Sequence, residues 1–225
     1  MITKIHFSIV ILVVCLSAAS CGKEKDKYIE VPFEFVIPIS FSPSTDTVSV
    51  GQTLNLQASF SDSLYDYISQ KKYYLPSFNF KTVAVIKKLT NNSIQFPEQT
   101  GAVSNFTYAS NQGSITNFNG SFADVNFKYE GNKYQINFNL VPLQTGVYAL
   151  RFYHSTGSKG QTELPTSLAP SEAGIRRFPI MRVIRYDFND GNTHFNIYKN
   201  NCEPGDPNEQ TNWVGSKSSY TFVVK

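Results

Sequence analysis

The sequence is poor in charged residues, cysteine, histidine and tryptophan. Of its 225 residues, 16% are charged, three are cysteine, three are histidine and one is tryptophan. The charged fraction falls below the roughly 25% of ordinary soluble domains, and the net charge of +3 does not predict a nucleic-acid partner. Three cysteines cannot build a disulfide scaffold. Because 14% of the residues are aromatic, the chain has ample material for a hydrophobic core, which excludes a disordered protein.

No hydrophobic run reaches the length of about 20 residues that a transmembrane helix needs. The longest run covers residues 9–16; it follows Lys4 and precedes four small residues at 17–20. A positive residue, a short apolar stretch and small residues in this order are typical of a secretory signal peptide. Residues 1–20 are therefore predicted to be a signal peptide, which ends directly before Cys21.

This arrangement resembles the signal of bacterial lipoproteins, in particular of the Bacteroidota type. The resemblance implies that Cys21 is acylated, becomes the mature N-terminus and anchors the chain in a membrane. Gly22 in the next position is compatible with sorting to the outer membrane, at either the cell surface or the periplasmic face. Ala18 stands where leucine is usual, and an ordinary secretory signal cut near Ala19 is the alternative. Residues 21–27 are expected to form a charged flexible tether.

Alternation of apolar and polar residues predicts that the mature chain is rich in β-strands. Every second residue of 53–60 is apolar, which is the pattern of a half-buried strand. The same alternation continues through 78–86, 125–130 and 133–140, and further strands are predicted at 178–188 and 219–225. Gly131 and Asn132 separate two of these runs and predict a two-residue hairpin turn.

Two segments are expected to depart from this pattern. Residues 33–41 are extended but lie among Pro32, Pro38 and Pro43, which favours an edge strand because proline donates no ladder hydrogen bond. The segment between the strands near 60 and 78 is expected to contain a helical turn near residues 64–68.

Tyr148 indicates an immunoglobulin-like (Ig-like) fold. It shares one strand face with Leu150 and Phe152, and Ig-like sandwiches carry a tyrosine near the start of strand F. We therefore predict an all-β fold, an Ig-like antiparallel β-sandwich with an elaborated insertion before the last strand. Residues 192–201 of this insertion are expected to form a short helix. Residues 28–225 are expected to be a single domain, with a split near residue 110 as the alternative.

The segment 50–62 also resembles the opening of bacterial envelope lipoprotein domains of unknown function. That likeness implies the same fold and compartment, and it brings no active site. Zinc-binding His-Glu-x-x-His, nucleophile-elbow Gly-x-Ser-x-Gly and phosphate-binding loop motifs are missing from the sequence. Neither a metal nor a cofactor is expected.

A few residues could nevertheless carry chemistry. The mature chain keeps His154 and His194, which are expected at a strand end and at the surface respectively. Asp187, Asn189 and Asp190 offer oxygen ligands for calcium, but a turn with capping side chains is the favoured interpretation.

Aromatic and basic residues are the candidates for ligand binding. Aromatic rings in loop-like contexts can stack on sugars, and the candidates are Trp213, Tyr73 and Tyr74. The one arginine cluster comprises Arg176, Arg177, Arg182 and Arg185. It indicates either a patch for an acidic glycan or partner, or a solvated face that pairs with nearby carboxylates.

Thr47 and Ser63 are candidates for O-glycosylation. Each follows an aspartate and precedes an aliphatic residue, a pattern that the resemblance to Bacteroidota proteins makes relevant. Ordinary turn chemistry is the alternative for both.

The sequence predicts a location and an architecture more firmly than an activity. A lipid-anchored outer-membrane module that binds a glycan, a peptide or an envelope protein is favoured, because catalytic motifs are missing. The alternatives are a hydrolase with paired carboxylates, whose separation in space cannot be derived from the sequence, and a structural subunit of an envelope complex. The membrane, through Cys21, is the expected partner; nucleic acid is not, and the oligomeric state stays open.

Overall fold

The computed structural model describes residues 27–80, 82–89, 100–154, 162–171, 175–201 and 217–225. The chain divides into two compact units, a smaller one with Met1–Val31 and Leu164–Pro179 and a larger one with Pro32–Glu163 and Ile180–Lys225. Residue 110 lies inside the larger unit. None of the helices in the described segments has the length and apolar character needed to cross a membrane.

The described residues form sixteen strands, three short 3₁₀ turns and one α-helix. The strands are β1 (Lys27–Ser42), β2 (Thr47–Val48), β3 (Leu54–Ser61), β4 (Ser63–Asp66), β5 (Lys71–Tyr74), β6 (Thr82–Leu89), β7 (Thr100–Gly101), β8 (Phe106–Gln112), β9 (Ser114–Asn119), β10 (Phe122–Asn126), β11 (Lys128–Glu130), β12 (Lys133–Pro142), β13 (Gly146–His154), β14 (Thr162–Glu163), β15 (Ile175–Phe188) and β16 (Ser219–Val224). The 3₁₀ turns are Val103–Asn105, Thr166–Leu168 and Asn189–Gly191, and the helix, α1, is Phe195–Asn201.

The strands form two sheets with the connectivity of an Ig-like sandwich. The first sheet has the order β11-β12-β3-β1-β15-β14, with β8 beside β12 and the β4–β5 pair beside β1. The second has the order β2-β16-β13-β6-β10-β9, with β7 beside β6. The run β1-β3-β12-β8 therefore corresponds to Ig strands A, B, E and D, and β6-β13-β16 to strands C, F and G. The Ig-like prediction is confirmed.

Aromatic side chains from the two sheets meet in the core of the larger unit. Phe41 of β1 lies 4.4 Å from Tyr220 of β16, measured between ring centroids. Phe138 of β12 and Phe152 of β13 form a second contact between the sheets, with their centroids 6.4 Å apart. All four rings are buried, and each such side chain contributes roughly 1.5–3 kcal/mol to stability on burial.

Tyr148 forms the predicted tyrosine corner. Its ring is fully buried at the start of β13, with its centroid 5.0 Å from that of Phe106. Its hydroxyl donates to the carbonyl of Gln144, four residues upstream, over 3.1 Å. The same hydroxyl accepts from the amide of Asn105 over 3.2 Å. This hydrogen bond back to the upstream chain is the feature that defines the corner in Ig-like domains.

The hairpin between β11 and β12 is also confirmed, although its first strand is shorter than expected. Gly131 and Asn132 have φ values of 58° and 60°, as a type I′ turn requires. Glu130 pairs with Lys133 across it. The predicted strand 125–130 is divided, because its first two residues belong to β10 of the second sheet and the chain changes sheet at Phe127.

The expectation of an edge strand at residues 33–41 is wrong, because β1 has neighbours on both sides. On one side, the backbone N–H of Phe41 donates to the side-chain Oδ1 of Asn189 over 2.8 Å, and the backbone carbonyl of Phe41 accepts from Nδ2 of the same side chain over 3.1 Å. Asn189 directly follows β15. The backbone N–H and C=O groups of successive strand residues point to opposite sides of the strand. Because those of Phe41 point toward Asn189, the backbone groups of Ser40 and Pro38 point toward β3 and β4. On that side β3 pairs only with residues 40–42 and β4 only with Phe35. The N–H that Pro38 lacks falls in the gap between these two partners.

The helical turn expected near residues 64–68 is also wrong. β4 and β5 form an antiparallel hairpin there, with Ser63 opposite Tyr74 and Asp66 opposite Lys71. Leu64 and Asp66 point inward and are buried, whereas Ser63 and Tyr65 are exposed. Every second residue of Ser63–Asp66 is buried, and this pattern is that of a strand and not of a helical turn.

The helix predicted before the last strand is present as α1. Tyr198 and Phe195 on one side of it pack against Leu89 of β6 and Ala149 of β13. Phe195 and Tyr198 are three residues apart, which is the helical spacing on which the prediction rested. Cys202, the third residue of that pattern, lies outside the described residues.

Candidate functional site

An open cleft lies in the larger unit where the chain crosses twice between the sheets. Residues 75–80 lead from β5 to β6, and Phe127 connects β10 to β11. Both crossings line the same cleft, whose volume is about 240 Å³. Its lining residues are Ser77, Phe78, Asn79, Phe80, Val125, Asn126, Phe127, Tyr129 and Tyr134.

Tyr134 and Phe80 form the buried floor of the cleft. Their ring centroids are 4.9 Å apart in an edge-to-face arrangement. The Tyr134 hydroxyl donates to the carbonyl of Leu75 and accepts from the backbone N–H of Phe78, so β12 holds the first half of the crossing at 75–80. Burial raises the pKa of Tyr134, and this phenol therefore stays protonated at neutral pH.

Phe78 and Phe127 form the partly exposed aromatic walls of the cleft. Phe78 lies edge-on to Phe80, with 5.0 Å between the centroids. Phe127 packs against Phe60 at 5.2 Å and against Phe80 at 6.0 Å. The buried neighbours fix the orientation of both rings, and part of each ring stays accessible to a ligand. Fixed aromatic rings give large contact areas at a low entropic cost.

Hydroxyl and amide groups lie at the rim of the cleft. The Tyr129 hydroxyl donates to Oδ2 of Asp62 over 2.6 Å. The hydrogen bond to the Asp62 carboxylate is the main cause that raises the pKa of Tyr129, so this phenol keeps its proton. Asn79 and Asn126 add exposed amides. The residues that line the cleft therefore combine apolar ring surface with uncharged hydrogen-bonding groups.

Of the aromatic candidates from the sequence, neither Tyr73 nor Tyr74 lines this cleft. Both Tyr73 and Tyr74 lie on strand β5, so the loop-like context expected for them is wrong. Tyr73 is half-buried, with its ring edge-on to Phe33 at 4.9 Å. Tyr74 is 60% exposed and is not a lining residue of the cleft. Trp213 lies outside the described residues, as does the lipidation candidate Cys21.

The arginine candidates occupy β15. Arg176 is exposed in the smaller unit, where its guanidinium lies 5.9 Å from the ring centroid of Tyr28. Arg177 follows it, half-buried, and its backbone N–H donates to the Ser171 hydroxyl over 2.9 Å. The side chain of Arg182 lies outside the described residues.

Arg185 is paired with carboxylates in the larger unit. Its Nε lies 3.0 Å from Asp187, its Nη1 lies 3.7 Å from Glu34, and its guanidinium also covers the ring of Tyr67 at 5.8 Å. For this arginine, the interpretation as a solvated face that pairs with nearby carboxylates is confirmed.

The two O-glycosylation candidates differ in accessibility. Ser63 is exposed on the outer face of the β4–β5 hairpin, directly opposite Tyr74. Thr47 is half-buried in β2, where it pairs with Val223 of the last strand.

Residues 189–191 form a turn, as the favoured interpretation expected, but the side chains of Asp187 and Asn189 make contacts outside this turn and do not cap it. Asn189 uses its side-chain amide to hold the backbone of Phe41, and Asp187 pairs with Arg185. Across the described segments, no three His, Cys, Asp or Glu side chains come together as metal ligands.

The two histidines of the mature chain are both held by carbonyl groups. His154 ends β13, as expected, and its Nδ1 contacts the carbonyl of Phe80. His194 is half-buried rather than a surface residue. Its Nδ1 lies 3.0 Å from the carbonyl of Thr221, and its ring centroid lies 4.9 Å from that of Tyr220.

Sequence reasoning missed most of the cleft. Asp62 and Tyr129 are 67 residues apart, and Phe78 and Tyr134 are 56 residues apart. No local motif connects these pairs. The alternation of apolar and polar residues continues unbroken from Val125 to Glu130, so the pattern gives no sign that the chain changes sheet at Phe127.

No family model and no curated protein matches this chain. Among solved structures, it is similar to the human F-spondin reeler domain (fragment 2), with a TM-score of 0.30, 12% identity, and coverage of 60% of this chain and 85% of that chain. The structure of Cep-1 from C. elegans gives a TM-score of 0.26 and 12% identity, covering 72% of this chain and 89% of that chain. The type II cohesin dyad of the adaptor ScaA scaffoldin of Acetivibrio cellulolyticus gives 0.23 and 10%, covering 66% of this chain and 48% of that chain. Likenesses this distant carry no argument about function.

Proposed function

We propose that the mature chain is a lipid-anchored module of the outer membrane that binds a neutral carbohydrate in the aromatic cleft. The observation that carries the ligand class is the lining itself: Phe78 and Phe127 offer ring surface, while Asn79, Asn126 and Tyr129 offer uncharged hydrogen-bonding groups. A sugar ring has an apolar face and a rim of hydroxyls, so it matches both kinds of group.

The size of the cleft favours a short ligand. Its volume of about 240 Å³ lies below the range of roughly 300–1,000 Å³ that is typical of ligand pockets. One sugar unit seated between the two rings, with neighbouring units outside, fits this dimension. We therefore expect recognition of a terminal or single internal unit of a glycan.

A glycan-binding titration tests the ligand class. The mature chain with Cys21→Ser is screened against neutral oligosaccharides, and a binder is then titrated by calorimetry with Phe127→Ala and Phe78→Ala. Removing one aromatic contact is expected to weaken binding by about 0.5–1.5 kcal/mol, or roughly two- to tenfold. Phe122→Ala is the matched control, because Phe122 is an exposed ring on β10 that does not line the cleft.

Two results would contradict the binding proposal. One is a screen in which peptides bind and neutral sugars do not. The other is hydrolysis of a bound glycan that Asp62→Asn abolishes, which would make the protein a carboxylate-dependent hydrolase. Circular dichroism spectra of each variant establish that a loss of binding is not a loss of folding.

The anchor has its own test. Cys21→Ser is expected to move the protein from the membrane fraction to the soluble fraction, because two or three acyl chains hold a protein in a bilayer and none remains in the variant. Persistent membrane association of the variant would contradict lipidation at Cys21. Protease treatment of intact cells, compared with a periplasmic control protein, then decides between the cell surface and the periplasmic face.

A further inference from the structure

The smaller unit carries an exposed patch that combines aromatic rings with a guanidinium group. The rings of Tyr28 and Phe178 stack with their centroids 5.6 Å apart and their planes inclined by 19°. The guanidinium of Arg176 lies 5.9 Å from the centroid of Tyr28. Tyr28 is 64% exposed and Phe178 is 41% exposed. We call these three residues the aromatic–arginine patch.

The surroundings of the patch are positively charged. The charged residues of the smaller unit that the structure describes are Lys27, Arg176, Arg177 and Glu30, which gives three positive charges and one negative charge. Tyrosine is enriched at the level of lipid headgroups, phenylalanine enters the boundary between headgroups and acyl chains, and arginine binds phosphate oxygens in a bidentate manner. The chemistry of the patch therefore matches the surface of a membrane that contains anionic phospholipids.

The tether brings the patch to that surface. Tyr28 is seven residues after Cys21, and an extended chain spans at most about 3.6 Å per residue, so Tyr28 lies within roughly 25 Å of an acylated Cys21. A short tether also makes weak contacts effective, because the second interaction becomes intramolecular. Lys23 and Lys25 in the tether are balanced by Glu24 and Asp26, so the positive charge near the patch comes from Lys27, Arg176 and Arg177.

We propose that the aromatic–arginine patch docks on anionic phospholipid headgroups and seats the smaller unit on the membrane. The two rings enter the headgroup region, and Arg176 binds lipid phosphate. This inference rests on the proposed lipid anchor, because the short tether between Cys21 and Tyr28 is what makes a membrane the expected partner of the patch.

Fluorescence quenching by brominated lipids tests the docking. The lipidated protein carries Trp213→Phe, which removes its one tryptophan, and Phe178→Trp, which keeps an aromatic ring in the patch as the reporter. It is reconstituted in phosphatidylcholine vesicles with and without phosphatidylglycerol. Tyr28→Trp serves as a second reporter, and Phe122→Trp, an exposed aromatic position outside the patch, is the control.

We expect quenching of the reporters at 178 and 28, at least twice as strong with phosphatidylglycerol as without it, and no quenching at 122. Arg176→Gln should remove this preference for the anionic lipid. Vesicle-bound protein whose patch reporters are unquenched, or quenched no more than position 122, would overturn the docking and leave the anchor intact. Failure of the protein to float with vesicles would overturn the anchor and the docking together.

Discussion

Asp66 provides a quantitative test of how the β4–β5 hairpin is held. Its carboxylate is inaccessible to solvent and accepts three backbone N–H groups. Oδ1 accepts from Glu34 over 2.8 Å and from Ile68 over 3.3 Å, and Oδ2 accepts from Ser69 over 2.8 Å. One carboxylate thus connects the turn after β4 to the neighbouring strand β1.

The change Asp66→Asn is expected to lower the free energy of unfolding by about 3 kcal/mol at pH 7. A hydrogen bond to a charged group contributes about 1.5–3 kcal/mol, and the bond from Ser69 is lost because an NH₂ group would face its N–H. The two bonds to Oδ1 remain but become neutral, and charge-assisted bonds are roughly twice as strong as neutral ones.

The difference in stability between the wild-type protein and Asp66→Asn should depend on pH. Burial raises the pKa of Asp66, but the hydrogen bonds from Ser69, Glu34 and Ile68 together outweigh it and hold that pKa below the ordinary value of 3.8. The stabilisation is therefore present in full above pH 3.8 and is lost as the pH falls through the lower folded-state pKa. The asparagine variant has no such titration, so the difference between the two proteins should shrink in acid.

Urea unfolding, followed by circular dichroism at pH 7, 5, 3.5 and 2.5, measures both effects. Asp190→Asn is the control, because Asp190 is exposed and surface changes usually stay within about 0.5 kcal/mol. A loss below about 1 kcal/mol at pH 7 would refute the reasoning. So would a loss that is equal at pH 7 and pH 2.5, because the carboxylate charge would then not be its source.

Three further predictions concern the corner, a tight turn and a modification. Tyr148→Phe should cost about 1 kcal/mol in a urea titration, the contribution of a hydroxyl hydrogen bond, whereas Tyr148→Ala should cost about 3–5 kcal/mol because the buried ring is lost as well. Gly113→Ala should destabilise the protein by more than 2 kcal/mol, because the new Cβ would lie 2.5 Å from a carbonyl oxygen of β10 and because a side chain at this positive φ itself costs about 1–2 kcal/mol. Gly120→Ala is the control: Gly120 also has a positive φ but has open space around it, so this variant should show only the cost of the backbone conformation. If the protein is O-glycosylated, intact-mass and peptide spectra should place the glycan on the exposed Ser63, and a glycan on the half-buried Thr47 alone would contradict the accessibility argument.

The parts of the fold that local patterns determine were predictable. The alternation over residues 53–60 predicts β3, because a strand with one buried face repeats every two residues. Gly131 and Asn132 predict their turn because both must adopt positive φ. Tyr148 predicts strand F, since the corner needs only a carbonyl four residues upstream.

The two failures have a common physical cause. Pro38 looks incompatible with an interior strand until β3 and β4 are seen to leave a gap opposite it. Residues 64–68 become a hairpin because Asp66 bonds to Glu34, 32 residues earlier. In both cases a contact that is distant in sequence decides between alternatives that local propensity leaves open.

The candidate site was predictable only in its residue types. Aromatic side chains were expected to contact a ligand, and aromatic rings do line the cleft, but the candidates Tyr73 and Tyr74 are not among them. The two crossings that build the cleft are more than 40 residues apart, so their meeting depends on the pairing of β12 with its neighbours. A period-two pattern gives the face on which a side chain lies, but not which distant segment lies opposite that face.

Two aromatic rings of the cleft are buried and two are partly exposed, and this difference supports a ligand-binding site rather than a packing defect. Tyr134 and Phe80 are almost fully buried and make hydrogen bonds or ring contacts on several sides, so they serve the core. Phe78 and Phe127 stay partly exposed, although each square ångström of apolar surface left in water forgoes about 25 cal/mol. Rings that are held by the core and still open to solvent are what a binding surface for sugars requires, and this combination is the physical basis of the proposed function.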